Sequence, residues 1–260
     1  MKVAELLTEL IGVKKFKDMS SDEIRTYLEK TFNAANGPMK VKLLGQGAHA
    51  VAVQIGNYAY KFWLVDDAYE RFAEYAIKHQ DNPLMPKIYG GIKSMPAFFA
   101  KHEAAPARVK YVKLELLQPV ESEQHSLVVL ENNPSTIRLD RFIANTYKWI
   151  RDDDWQKSLM SWIPGQVRPP SFEFPEGTTF DDLSDELKLW ATTCRELYDM
   201  NNQESDLDLH SENLMARGNQ PVILDPVADE NSMNLNLMFE RFNRKLMRDR
   251  VSAKQEAQNG

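Results

Sequence analysis

A chain of 260 residues, 43% hydrophobic and 27% charged, can bury a sizeable core as one large domain or two lobes, and it has no apolar run near the roughly 18 residues that span a bilayer. Its 32 basic and 38 acidic residues give a net charge of −6, which excludes binding to nucleic acid by overall charge. The single Cys194 excludes an internal disulfide or a Cys-rich metal site, and the start, Met1-Lys2-Val3-Ala4-Glu5, has no signal-peptide pattern, so a cytoplasmic location and no membrane partner are expected.

The predicted elements begin with two helices. Val3 to Lys15 places Leu6, Leu7, Leu10 and Ile11 on one face, and Asp22 to Ala35 repeats Ile24, Tyr27, Leu28, Thr31 and Phe32 at helical period. Ser20 and Glu23 have the spacing of a capping box, and Asn36-Gly37-Pro38 ends the pattern. A β-region follows. Lys40 to Leu44 alternates, Val51 to Ile55 is apolar, Gly56-Asn57 is a hairpin turn, and Tyr58 to Trp63 is the next strand. Asp66-Asp67 caps a helix running to about His79, closed by Pro83 and Pro86. Strands are expected at Lys87 to Ile92, Ala97 to Lys101 and Lys110 to Leu117, the last entering Gln118-Pro119.

Beyond Pro119 the pattern reads as mostly helical: Pro134 to Ile150, a Pro-rich surface stretch from Pro164 to Pro175, then Asp182 to Met200 with Leu183, Leu187, Trp190, Ala191, Cys194, Leu197 and Tyr198 at helical spacing. Cys194 lies in that apolar stripe and reads as packing rather than as a nucleophile. Residues 241–254 hold Arg241, Arg244, Lys245, Arg248, Arg250 and Lys254 against Asp249 alone, a basic solvated helix end or else a docking surface for acidic partners or nucleic acid. The fold class is therefore α+β in two lobes: residues 1–119 with a five-stranded antiparallel sheet plus helix, and residues 120–260 mostly helical.

Three segments carry chemistry. Gly45 and Gly47, in Leu44-Gly45-Gln46-Gly47-Ala48-His49, let a backbone hairpin approach phosphate groups closely, with Ala50 where a third glycine is usual. Lys61, between Tyr60 and Phe62, is a cation in an apolar strand and calls for phosphate and carboxylate partners. Glu70 and Glu74 share one face of the next helix, and Glu74, deeper along it, is the preferred partner. In Ser205-Asp206-Leu207-Asp208-Leu209-His210-Ser211-Glu212-Asn213, Asp208 is placed to accept a proton from a hydroxyl, while Asn213 and Asp225, the latter closing Val222-Ile223-Leu224, offer the hard oxygen ligands that Mg2+ prefers. An Asp-x-x-x-x-Asn loop with a later Asp is the order used in kinase-like phosphoryl transfer.

These residues resemble the early serine/threonine protein kinases of T7-like bacteriophages, most closely over Asp206 to Val227 and more loosely around Gly45 to His49 with Lys61. The resemblance implies a bilobal protein-kinase-like fold, truncated after the metal-binding Asp, that uses ATP and Mg2+ to phosphorylate host proteins in the host cytoplasm, to suppress host transcription or defence. It implies Lys61 as the ATP-anchoring lysine, Asp208 as the catalytic aspartate and Asn213 and Asp225 as metal ligands. The chain departs from typical protein kinases in having Asp206-Leu207 where His-Arg precedes the catalytic Asp, and Pro226-Val227 where Phe-Gly follows the metal-binding Asp. It also lacks a later Ala-Pro-Glu, and 35 residues follow Asp225, so protein substrates are expected to dock on other surfaces. Two other readings stand beside this one: a small-molecule kinase of the aminoglycoside or choline type, and a non-catalytic nucleotide-binding pseudokinase that occupies a host protein.

Overall fold

The computed structural model describes residues 20–36, 40–46, 50–63, 67–96, 108–120, 125–167, 172–200, 207, 209 and 213–226. The predicted helix at Val3 to Lys15, the strand at Ala97 to Lys101 and the basic segment 241–254 lie outside them. The chain divides into two compact units: residues 1–66, 92–113 and 229–260 form the first, and residues 67–91 and 114–228 the second. The helix after Lys61 belongs to the second unit.

In the first unit, helix α1 (Ser21–Asn36) starts where its capping box predicts. Ser20 Oγ accepts from the Glu23 amide at 3.2 Å, and Glu23 Oε2 accepts from the Ser20 amide at 2.8 Å. Five strands form one sheet in the order β1-β2-β3-β5-β4: β1 (Val41–Gln46), β2 (Ala50–Ile55), β3 (Tyr58–Trp63), β4 (Ile88–Pro96) and β5 (Arg108–Glu115), of which residues 88–91 of β4 and 114–115 of β5 are assigned to the second unit. The sheet is antiparallel, as expected. The β2–β3 hairpin turns on Gly56-Asn57 between the paired Ile55 and Tyr58, with Gly56 at φ +60°, where a Cβ would strain the backbone.

Strand alternation separates two faces. Val51, Val53, Ile55, Phe62 and Val109 pack with Ile24 and Leu28 of α1, and Tyr60 and Tyr111 lean on the same cluster. Phe62 stacks on Tyr111 at 5.3 Å between ring centroids. Burial beside Tyr111 and Tyr58 raises the Tyr60 hydroxyl above its ordinary pKa, so it stays neutral.

The second unit holds helix α2 (Asp67–Lys78) and a three-stranded sheet, β10-β9-β6, built from β6 (Gln118–Pro119), β9 (Leu214–Arg217) and β10 (Gln220–Ile223). It also holds a separate hairpin, β7 (Ser126–Leu130) with β8 (Asn133–Arg138), and helices α3 (Leu139–Ala144), α4 (Trp155–Trp162) and α5 (Asp185–Met200). Among the described residues this half holds both helices and strands, so the expected mostly helical lobe is not shown. The predicted helix at Pro134 to Ile150 is a strand as far as Arg138, followed by six helical residues. Pro134, Thr136 and Ile137 favour extended backbone, and Ser126–Leu130 supplies an alternating partner with Leu127 opposite Ile137.

Helix α5 starts at Asp185 rather than Asp182, because Asp182 caps a separate turn: its carboxylate accepts from the Thr179 amide at 2.8 Å. Ser184 then opens α5, accepting from the Leu187 amide at 3.1 Å while its own amide donates to Val129 O at 2.9 Å. Phe142 forms the centre of an aromatic core, with Trp149 at 5.7 Å, Trp162 at 6.1 Å and Trp190 at 6.5 Å between centroids. Cys194 is fully buried there, and burial pushes its thiol pKa well up, which leaves it unreactive. Among the described residues no helix is long and apolar enough to cross a membrane.

Leu28 is 0% exposed at the centre of the first unit's core, so Leu28→Ala should destabilise the protein by about 2–5 kcal/mol, read as a fall in the urea midpoint; an unchanged midpoint would mean that α1 does not pack on the sheet.

Candidate functional site

The first unit carries one set of the candidate residues. In the antiparallel register Gly45 pairs with Ala52, and Ala52 pairs with Lys61, so the three stand in one cross-strand row. Directly paired residues project from the same face, which puts this row opposite the face that packs on α1. The row thus reads glycine, small apolar, cation. Lys61 is half-buried, and Trp63, two residues along the same face, is fully buried. The register slips between Leu43 and Gly45, so the strand is already irregular where the glycine segment begins. Gly47 lies outside the described residues.

Gly45 does not serve the protein's own packing. A Cβ built there meets nothing within 4 Å, and its φ is not in the left-handed region. The space beside it is open, which fits a backbone that a ligand approaches.

The second unit carries a separate set of candidate residues. Strands β9 and β10 pair with Leu214 opposite Ile223, around a two-residue turn in which Gly218 takes φ +60°. At the open end the Leu224 amide donates to Asn213 O at 2.9 Å, adding one rung beyond the strands. Asn213 and Asp225, twelve positions apart in sequence, therefore flank the same hairpin mouth, both half-buried. An amide oxygen and a carboxylate are oxygen donors of the kind that suits a hard divalent cation, and the backbone brings the two residues that carry them to the same end of the hairpin. Among the described residues no group of three or more His, Cys, Asp or Glu gathers into a metal-binding cluster. Asp208 lies outside the described residues; its sequence neighbours Leu207 and Leu209 are half-buried and buried. Of the two candidate carboxylates on α2, Glu70 is half-buried and Glu74 is exposed.

One group that sequence reasoning missed holds the hairpin in place. Arg217, the last residue of β9, donates through Nε to Glu115 Oε2 at 2.8 Å and also bonds Oε1. Burial alone would raise the Glu115 carboxyl, but the bonds from Arg217 and the Lys87 amide, with both cations nearby, outweigh it and hold the pKa below the ordinary value. The Arg217 guanidinium is held correspondingly more firmly in its charged form by its bonds to Glu115. Nothing in the local pattern distinguishes either residue from a solvent-facing charge.

A scan against protein-family models finds none that matches the chain, and a search of curated proteins finds no match.

Gly45→Ala should leave the urea midpoint unchanged or slightly raised, since an L-residue fits this backbone and lowers the unfolded chain's entropy; a marked loss of stability would show that Gly45 is there for internal packing. Glu115 ionises more readily folded than unfolded, so its contribution is complete above about pH 5 and is lost as the pH falls through the folded-state value. Glu115→Gln should accordingly lose about 1–3 kcal/mol near neutral pH and much less near pH 3, measured by urea unfolding at both; an equal loss at both would separate the effect from the ion pair.

Proposed function

We propose that the protein is an ATP- and Mg2+-dependent phosphotransferase of bilobal, protein-kinase-like fold that phosphorylates Ser and Thr hydroxyls of host proteins. The observation that carries this reading is that Asn213 and Asp225 flank one hairpin mouth, at the open end of the β9–β10 pairing. The row Gly45, Ala52, Lys61 supports it from the other unit, with open space beside the glycine and a cation in line.

In this reading the backbone around Gly45 and Gly47 lies along the triphosphate, and Lys61 neutralises phosphate oxygens in a partly desolvated setting where a charge interaction is stronger than in water. Asp208 orients the acceptor hydroxyl and accepts its proton. Asn213 and Asp225 hold the cation, and Mg2+ when bound offsets charge on the phosphates and keeps them in register. A carboxylate of α2, Glu70 or Glu74, orients Lys61. The preference for proteins and for Ser and Thr rests on the resemblance of Asp206 to Val227 to the phage kinases. That segment has no His-Gly before Asp208, the usual mark of the small-molecule kinases.

The test is transfer of labelled γ-phosphate from ATP with Mg2+ into a bacterial lysate. Labelled protein bands should appear and should fall at least about 100-fold with Asp208→Ala at unchanged stability. Lys61→Met should weaken transfer similarly, and Glu70→Gln beside Glu74→Gln identifies the lysine's partner. ATP consumption without labelled protein would favour a small-molecule kinase. Nucleotide binding without any transfer would favour a pseudokinase, and near-normal transfer by Asp208→Ala would overturn the loop's assignment.

A further inference from the structure

Three successive carbonyls of the connection between α2 and β4 take hydrogen bonds from the β9–β10 hairpin. Arg217 Nη1 donates to Pro83 O at 3.1 Å and Nη2 to Met85 O at 2.9 Å, while the Ile223 amide donates to Leu84 O at 2.8 Å. The same guanidinium is clamped by Glu115 at the end of β5, and Glu115 is itself fixed to Lys87, accepting from its amide at 2.8 Å and donating to its carbonyl at 3.0 Å. All these groups belong to the second unit.

The connection is a stiff reference. Gln80 bridges it, donating to Pro86 O at 3.1 Å and accepting from the Ile88 amide at 3.0 Å. Asn82 accepts from the Leu84 amide at 2.9 Å and donates to Thr193 Oγ1 on α5 at 2.9 Å. The Tyr75 hydroxyl of α2 donates to Glu196, also on α5. Whatever is bonded to residues 83–85 is therefore held with respect to α2 and α5 together.

We propose that Arg217, clamped by Glu115, is a positioning residue that fixes the hairpin bearing Asn213 and Asp225 to the α2–β4 connection and so sets where its two oxygen donors stand. The proposal rests on the phosphotransferase reading above. Arg217 sits at the closed end of the hairpin, four residues from Asn213 or about 13 Å along a strand, so it acts through the hairpin rather than on the nucleotide. Its fork is what the task requires. Nε, Nη1 and Nη2 each have a separate acceptor, whereas the single nitrogen of a lysine cannot reach the Glu115 carboxylate and two carbonyls at once.

The experiment measures ATP turnover against Mg2+ concentration at saturating ATP, with ATP affinity measured separately, for the parent, Arg217→Gln, Arg217→Lys and Leu28→Ala. Both Arg217 variants should need about tenfold more Mg2+, with ATP affinity within about twofold of the parent, as for other residues that orient metal ligands indirectly. Leu28→Ala, which loses stability in the other unit, should leave the Mg2+ requirement unchanged. Amide hydrogen exchange on the same proteins should quicken at residues 83–87 and 213–225 together in the Arg217 variants.

An Mg2+ requirement within twofold of the parent in both Arg217 variants overturns the proposal, as does exchange that quickens only around the 217–220 turn. A parent protein with no Mg2+-dependent turnover would instead sink the phosphotransferase reading, and the exchange data alone would then decide whether Arg217 holds the hairpin. If Arg217→Gln fails to fold, Arg217→Lys carries both readouts.

Discussion

The bonds onto Pro83, Leu84 and Met85 close a long-range constraint in the second unit, joining a connection after α2 to a hairpin in which Arg217 lies 134 positions beyond the Pro83 it bonds. A hairpin of two four-residue strands is marginal by itself in water, and β6 adds only two residues of pairing to it. Its stability has to come from what it is fastened to. The carbonyls of 83–85 and the Glu115 carboxylate provide that, and Val222 and Ile223, both fully buried, add the apolar term. Gln80 and Asn82 do for the connection what secondary structure would otherwise do, giving its backbone groups partners where no strand or helix supplies them.

The first unit is organised on a different principle. One face of its sheet is filled by α1 and a continuous apolar cluster, in strict alternation along β2. The opposite face carries Lys61 in the same row as Ala52 and Gly45. A half-buried lysine in an otherwise apolar strand adds nothing to core packing, and two small neighbours forgo the contact area that larger side chains would bury. A glycine, an alanine and a lysine in one row, behind a face filled by a continuous apolar cluster, are the sequence choice of a surface kept for something other than stability.

What the sequence disclosed depended on how local the cause was. The capping box at Ser20, the turn at Gly56-Asn57 and the apolar run of β10 each depend on residues a few positions apart, and they were legible. The β7–β8 hairpin was not, because Pro134 and the helical spacing beyond Leu139 merge into one pattern unless Leu127 is already known to sit opposite Ile137. Asp182 reads as the start of α5 because a capping residue has the same composition whether it opens one turn or several. Arg217 and Glu115 lay furthest from reach: their partners are 102 residues apart, and each alone looks like an ordinary surface charge. Of the site itself, Gly45, Lys61, Asn213 and Asp225 are placed by strand register, whereas Gly47 and Asp208 lie outside the described residues.

The last rung of the hairpin separates structure from chemistry at the candidate metal position. The Leu224 amide bonds the backbone carbonyl of Asn213, not its side chain, and the next pair, Leu214 with Ile223, is a main-chain pairing as well. The positions of Asn213 and Asp225 are therefore set by the backbone ladder and by the anchoring of β10 to Leu84. Leu214, Val222 and Ile223, all close to fully buried, hold that ladder in place from the apolar side. Replacing the Asn213 amide or the Asp225 carboxylate leaves these main-chain bonds intact, so the course of the backbone at the hairpin mouth does not depend on either side chain's own bonds to the ladder.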